Sequence, residues 1–310
     1  MNIMNTPSPP SNDSQRDPTF PLVRGRYQRD SLLKNLTWFA VGGAADILFK
    51  PKDVDDLVFF LKNNTSPVFT LGAGSNIIVR DGGIRGVTLR LSGDFTKIQI
   101  HDNHTVEVGA GCLDRTLALT CQSHGLSGLE FFIGIPGTIG GALAMNAGAY
   151  GFETCDSLLW AEVVMPTGEI LRLHPKEMRY SYRSCGLPKD WIFTKACFQV
   201  TASSPLSIQQ TMQDILTKRQ ETQPTKGRTG GSTFKNPTNH SAWKLIHEAG
   251  CRGMIVGDAM ISEKHCNFML NLGNASSKDL ETLGEKVRQE VLQHSDISLE
   301  WEILRVGENL

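Results

Sequence analysis

The run Gly134-Ile-Pro-Gly-Thr-Ile-Gly-Gly-Ala-Leu-Ala-Met-Asn-Ala-Gly-Ala-Tyr-Gly151 places six glycines and four alanines in eighteen residues. Each glycine costs a regular helix or strand roughly 0.5–1 kcal/mol relative to alanine. A chain keeps such a run where its backbone must pass close to a phosphate, a flat ring or another backbone. Two shorter segments share this character. Gly72-Ala-Gly-Ser-Asn76 follows the strand-like Val68-Phe-Thr-Leu71, and Gly230-Gly-Ser-Thr-Phe-Lys-Asn-Pro237 combines small residues with Ser232, Lys235 and Asn236. Three such loops point to a large ligand gripped by its phosphates and by a reactive end.

The length of 310 residues predicts two or three domains with ample core. Charged residues make up 20% and sum to a net charge of −1, which argues against a broad nucleic-acid footprint. No apolar run approaches the roughly 18 residues of a membrane span. No basic segment followed by an apolar stretch marks a secretory signal. The cysteines (Cys112, Cys121, Cys155, Cys185, Cys197, Cys251 and Cys266) are odd in number and scattered, with no C-x-x-C pair. They read as reduced thiols of a cytoplasmic protein, with no metal site expected.

Residues 1–24 are rich in Pro, Ser, Asn and Asp and read as a disordered tail. From 25 to 95 the pattern is β-α-β. Asp53 caps a helix with Val54, Leu57, Val58 and Leu61 on one face, and the next strand delivers Gly72–Asn76 at its carboxyl end. From 96 to 205 strands dominate, around a helix with Leu113, Leu117 and Cys121 inward and Gly125 as its stop. From 206 to 310 the chain reads as a compact α+β module. It opens on a helix with Ile208, Met212 and Ile215 inward, followed by helices at 242–249 and at 277–294, the latter capped by Ser277. Strands are expected at 267–271 and 297–306.

The polar residues leave several readings open. Gly72–Asn76 can form a nest of N–H groups for an anion, or simply a tight surface turn. It is neither a Walker loop nor a strict G-x-G-x-x-G. The long glycine run fits a pyrophosphate and ring system, or a close interdomain crossing. Ser232 can pass a proton if a neighbour polarises it, or it can bond its own turn. No G-x-S-x-G elbow supports a hydrolase. In Tyr180-Ser-Tyr-Arg183, extended backbone would put Tyr180 and Tyr182 on one side and Arg183 on the other, free to grip a carboxylate or to lie in solvent. Glu302 alternates with apolar neighbours in Leu299-Glu-Trp-Glu-Ile303, as a solvated strand face would. Ser262-Glu-Lys-His265 suits a polar ligand.

Taken in order, these segments carry a family resemblance. Asn35-Leu-Thr-Trp-Phe-Ala-Val-Gly-Gly43, Leu71-Gly-Ala-Gly-Ser-Asn76, Gly134-Ile-Pro-Gly-Thr-Ile-Gly-Gly141 with Met145-Asn-Ala-Gly148, Tyr182-Arg183 and Gly231-Ser-Thr-Phe-Lys-Asn-Pro237 follow one another. Ala242-Trp-Lys-Leu-Ile246 with Glu248-Ala-Gly250, Ser262-Glu-Lys-His265 and Leu299-Glu-Trp-Glu302 complete the series. The chain resembles the UDP-N-acetylenolpyruvoylglucosamine reductases (MurB), over about residues 30 to 307.

The resemblance implies an α+β chain: an FAD-binding fold of the vanillyl-alcohol-oxidase (PCMH) type in two subdomains, then a C-terminal α+β substrate-binding domain. It implies non-covalent FAD, NADPH as co-substrate, and UDP-N-acetylglucosamine enolpyruvate as the substrate reduced to UDP-N-acetylmuramate for peptidoglycan. Hydride would pass from FAD N5 to C3. Arg183 would bind the carboxylate and stabilise the enolate, Glu302 would assist as a hydrogen-bonding or protonated partner, and Ser232 would protonate C2. Gly72, Gly74, Ser75, Asn76, Gly137, Thr138, Gly140 and Gly141 would line FAD. Tyr182, Asn236, Lys264 and His265 would contact substrate.

One departure bears on these roles. The loop that carries an extra substrate tyrosine in longer members is absent, which points to the shorter subtype. Arg219, Lys226 and Arg228 are then the candidates for the diphosphate clamp. Two other classes compete: a flavin oxidase of the same fold, which needs neither a Ser232 acid nor a UDP site, and a non-catalytic nucleotide-binding module.

Overall fold

The computed structural model describes residues 20–310, so residues 1–19 of the expected tail lie outside it. In the first unit, β1 (Arg26–Leu32) pairs antiparallel with β2 (Ala44–Lys50). α1 (Val54–Asn63) then crosses to β3 (Val68–Thr70), β4 (Ile77–Val79) and β5 (Ile84–Leu89). The sheet order is β1-β2-β5-β3, with β5 parallel to β2 and β3. Asp53 caps α1 by accepting the Asp56 N–H at 2.9 Å. Leu57, Phe60 and Leu61 then turn inward onto Ile47, Phe49, Val87 and Leu89. Phe60 packs 4.5 Å from Phe49, and burying a side chain of this size stabilises the fold by about 1.5–3 kcal/mol.

The second unit begins with β6 (Ile98–His101) and β7 (Thr105–Gly109), followed by α2 (Asp114–Ser123) and β8 (Leu126–Ser127). The glycine run forms α3 (Ile139–Met145), with β9 (Gly148–Ala149) just beyond it, and then β10 (Phe152–Glu153) and α4 (Thr154–Ser157) follow. β11 (Leu158–Val164), β12 (Ile170–Leu173) and β13 (Ile192–Gln199) complete an antiparallel sheet of order β12-β11-β13-β7-β6, and β14 (Thr201–Ala202) pairs with β8. Leu117 and Cys121 face the core as expected, but Leu113 does not. It sits at the N-cap, 51% exposed, and the carboxyl of Asp114 takes the buried place instead.

α5 (Pro205–Thr222) buries Ile208, Met212 and Ile215, as its spacing predicts. These side chains enter the core of the second unit, against Phe131, Phe132 and Leu126, so a boundary at 206 cuts through packed structure. The third unit holds α6 (Ala242–Glu248), β15 (Ile255–Val256), β16 (Ala259–Ile261), β17 (Met269–Asn271) and α7 (Ser277–Ser295). Leu280, Leu283, Val287 and Val291 of α7 pack onto this sheet. The cap of α7 is Ser276 rather than Ser277, in a reciprocal box with Asp279. Ser277 instead reaches back to the first unit, where its hydroxyl donates to Asp81 at 2.8 Å.

The expected strand at 297–306 is regular only in β18 (Leu304–Val306), which pairs parallel with β4 of the first unit. Phe39, Val41 and Ile78 of the first unit also lie in the core of the third. The chain end is thereby fastened beside the loop that follows β3. This geometry brings three distant segments to one place.

Candidate active site

Gly72–Asn76 leaves β3 as a tight loop. Gly74 has φ +68, and a Cβ there would sit 2.2 Å from the Leu36 carbonyl, so the turn requires glycine. Among the described residues, none of the five successive N–H groups from Gly72 to Asn76 donates to a protein acceptor. Such a row of unpaired amides is what an anion nest requires. The long glycine run lies against it, since a Cβ on Gly72 would fall 2.7 Å from Thr138 Oγ1. Thr138 caps α3 by accepting the Gly141 N–H at 3.3 Å, and Gly141 and Ala144 are exposed on that helix. Gly137 lies just as close to Asp114, whose Oδ2 would be 2.5 Å from an added Cβ.

The two strongest catalytic candidates meet. Arg183 Nε donates to Glu302 Oε1 at 3.0 Å, with only 18% and 10% of the two side chains exposed. The second arm of the guanidinium, Nη2, donates to the Gly148 carbonyl at 3.0 Å. The segment from Tyr180 is not extended. Ser181 and Ser184 exchange backbone hydrogen bonds across a turn, with Arg183 left-handed at φ 54. Tyr180 packs into the core and Tyr182 stays 44% exposed, its ring 5.0 Å from the Arg183 guanidinium.

Glu302 and Glu300 alternate in sequence but not in environment, for 73% of the Glu300 side chain is exposed. Burial raises the Glu302 carboxyl above its ordinary range, and the attraction of Arg183, helped by Lys235, opposes that shift without cancelling it. Glu302 N–H donates to the Thr233 carbonyl at 2.9 Å, and Lys235 N–H to the Glu300 carbonyl at 2.8 Å. Segment 232–236 therefore runs beside residues 300–302, with Ser232 one residue from the contact. Asn267 fixes this segment by bonding the Phe234 N–H at 3.0 Å and carbonyl at 2.8 Å. The Ser232 hydroxyl bonds no protein group among the described residues, so its proton is not committed within the fold.

The other expected contacts are less simply placed. Asn76, grouped with the cofactor residues, gives its Nδ2 to the Glu302 carbonyl at 3.1 Å. Asn236 Oδ1 accepts the Ala242 N–H at the start of α6, at 2.9 Å. The Lys264 ammonium is drawn to the Gln220 carbonyl in the last turn of α5. His265 is half-buried between Trp243 and Phe268, and burial lowers its basicity. Arg219 is half-buried beside Tyr150, whereas Lys226 and Arg228 are exposed. Arg305 next to Leu304 turns away, onto the Trp301 ring and Glu285.

Sequence reasoning gave no role to Asn146. It is 1% exposed and left-handed at φ 46, and it joins three segments: Nδ2 donates to Glu153 Oε2 at 2.7 Å and to the Ser181 carbonyl at 3.2 Å, while Oδ1 accepts the Cys155 N–H at 3.1 Å. A buried asparagine ending a run of small residues was the available signal.

A loop of free amides against a glycine-rich helix start, joined through Asn76 to a buried arginine–carboxylate pair, suits a dinucleotide with a reactive ring. Residues 45–174 match a family described as FAD binding domain. The protein is an FAD-dependent oxidoreductase of α+β architecture. Residues 223–306 match the C-terminal domain of UDP-N-acetylenolpyruvoylglucosamine reductase. The chain is 50% identical over 289 residues to the UDP-N-acetylenolpyruvoylglucosamine reductase of Rickettsia conorii, covering 93% of this chain and 98% of the relative. It is 48% identical over 297 residues to the Paramagnetospirillum magneticum reductase, covering 95% and 96%. The solved UDP-N-acetylenolpyruvylglucosamine reductase (MurB) from Thermus caldophilus superposes with a TM-score of 0.81 at 35% identity, over 92% of this chain and all of that one. The chain belongs to the UDP-N-acetylenolpyruvoylglucosamine reductase family.

Proposed function

We propose that the protein reduces UDP-N-acetylglucosamine enolpyruvate to UDP-N-acetylmuramate with NADPH as electron donor, in the cytoplasm, for peptidoglycan precursor synthesis. The observation that carries this reading is the buried Arg183–Glu302 pair with the Ser232 segment hydrogen-bonded alongside it. Bound FAD supplies hydride chemistry. The amides of Gly72–Asn76 would hold its diphosphate, with Thr138 against them, and Gly137, Gly140 and Gly141 would let the start of α3 approach it closely.

The protein's own groups handle the substrate's charge. Hydride arriving at C3 of the enolpyruvyl group leaves negative charge on C2 and its carboxylate. Arg183 binds that carboxylate and stabilises the enolate, because preorganised positive charge lowers the barrier where charge develops. A charged Glu302 would oppose the same enolate. Its upward shift favours the neutral acid, which donates a hydrogen bond. Ser232 gives C2 its proton. Tyr182, Asn236, Lys264 and His265 contact the nucleotide-sugar, and the half-buried Arg219 is the best of the three candidates for its diphosphate.

The test is anaerobic. The purified flavoprotein is reduced with NADPH, UDP-N-acetylglucosamine enolpyruvate is added, and the flavin spectrum is followed. Rapid return of oxidised flavin is expected. A flavin that stays reduced until air is admitted would instead identify an oxidase.

A further inference from the structure

Two asparagines close a ring around the arginine–glutamate pair. Asn76, at the end of the first glycine loop, donates through Nδ2 to the Glu302 carbonyl at 3.1 Å, and its own carbonyl accepts the Leu304 N–H at 3.1 Å. Asn76 thus holds the chain at residues 302 and 304. The same Nδ2 lies 3.7 Å from the sulfur of Met145, at the end of the second glycine-rich segment. The next residue, Asn146, donates to the Ser181 carbonyl, two residues before Arg183. Arg183 then reaches Glu302 and returns to Gly148, two residues after Asn146. Each member of the pair is therefore fastened by a side-chain amide to a loop that faces the cofactor.

Chemistry requires this help. Arg183 sits in left-handed backbone, which a non-glycine residue holds only when its surroundings impose it. Ser181 O also accepts the Ser184 N–H, so Asn146 supplies the bond that ties this turn to α3. Asn146 is itself left-handed, a conformation asparagine tolerates better than most residues. Aspartate in its place would offer no donor to Ser181 and would set a second carboxylate against Glu153.

We infer that Asn146 and Asn76 are positioning residues of the reaction: they lock Arg183 and Glu302, respectively, to the two glycine-rich loops, so that loop order and the carboxylate-binding pair are set together. This role rests on the reductase reading, and the test separates the two. Neither residue need touch the reacting atoms.

The test compares wild type, Asn146→Gly and Asn76→Ser as holoenzymes. Glycine keeps the left-handed backbone while deleting the side chain. Asn76→Ser is half-exposed and preserves folding if the buried Asn146 variant does not. Flavin content and FAD affinity are measured first. Flavin reduced with dithionite is then mixed anaerobically with UDP-N-acetylglucosamine enolpyruvate, and the affinity of the oxidised form for that compound is titrated.

Rates are compared on FAD-loaded protein, and reoxidation is expected to slow by about 10–100-fold, since a misplacement near 1 Å can cost that much. Crossing Asn146→Gly with Arg183→Ala should abolish most of the asparagine effect, because residues acting as a unit are not additive. Full additivity, or unchanged reoxidation in both single variants, would overturn the positioning role while leaving the reductase reading intact. A wild-type holoenzyme that binds FAD but is not reoxidised by the compound would overturn that reading, and with it the role of both asparagines.

Discussion

Gly284 and Trp301 fit together without a gap: a Cβ added to Gly284 on α7 would fall 2.1 Å from indole Cη2. The indole is held in that seat by its N–H, which donates to Glu285 Oε1 at 2.8 Å, and by Arg305, whose guanidinium lies 4.4 Å over the ring. Residue 302 follows directly in the chain. One side of the segment that carries Glu302 is therefore tightly packed, while Glu302 itself meets Arg183 on the other.

Gly284→Ala sets two effects against each other. Alanine is favoured over glycine in a helix by about 1 kcal/mol. Overpacking a tight contact costs about 1–3 kcal/mol, and here the clash is with a ring fixed on two sides. Overpacking should win, with a net loss of about 1 kcal/mol or more, read from urea unfolding midpoints. A midpoint that rises would show that the ring has room to move.

Ser232→Ala should leave FAD binding and reduction by NADPH unchanged and slow reoxidation by substrate by at least the 10²–10⁴-fold typical of a lost general acid. Stopped-flow absorbance separates the two half-reactions. Normal reoxidation would remove Ser232 from the proton-donor role.

The cores were largely legible in the sequence because periodicity survives burial: Leu57 and Leu61, Leu117 and Cys121, Ile208, Met212 and Ile215, and Leu280 to Val291 all face inward. The misreadings share a cause. Ser277, Leu113 and the turn at Arg183 were assigned from neighbours in sequence, whereas Asp81, Gly137 and Asn146, all distant, decide them. The close approach of Arg183 to Glu302 was inferred from family resemblance alone. No local pattern encodes a contact across 119 positions. Asn146 went unassigned because a side chain that binds two distant backbone groups and a carboxylate has no periodic signature.

Arg183→Lys should lower turnover by a factor of about 10² or more, the scale of losing one donor at a developing oxyanion. Arg183 uses two nitrogens in a fixed fork, one toward Glu302 and one toward the Gly148 carbonyl, and a lysine ammonium cannot span both. The loss should fall on kcat and on substrate affinity together, as measured by steady-state kinetics and by titration of oxidised enzyme. Unchanged constants would take Arg183 out of the site.

Glu302 should give the reaction an alkaline limb. Its carboxyl is raised above the ordinary range by burial, so the neutral form persists to higher pH than in an exposed glutamate and is lost as pH rises through the folded value. If the neutral acid is the working form, reoxidation slows across that window. Glu302→Gln, neutral at every pH, should retain part of the rate and lose the limb. A wild-type profile that improves with rising pH would assign the work to the charged carboxylate instead.

Asp114 makes a separate prediction about stability. It is fully buried against Gly137, neither oxygen has a hydrogen-bond partner among the described residues, and burial pushes its carboxyl well above the usual range. A carboxyl raised on folding contributes its full stability below its unfolded value, near about 3.9, and loses it as pH climbs toward the folded one. Within that window the wild type should lose about 1.4 kcal/mol per pH unit from this group alone. Asp114→Asn, which cannot ionise, should be spared that loss. Urea midpoints of the two proteins should therefore diverge as pH rises above about 5, with the variant gaining on the wild type. Parallel curves would mean that Asp114 meets a partner or water that lets it ionise in place.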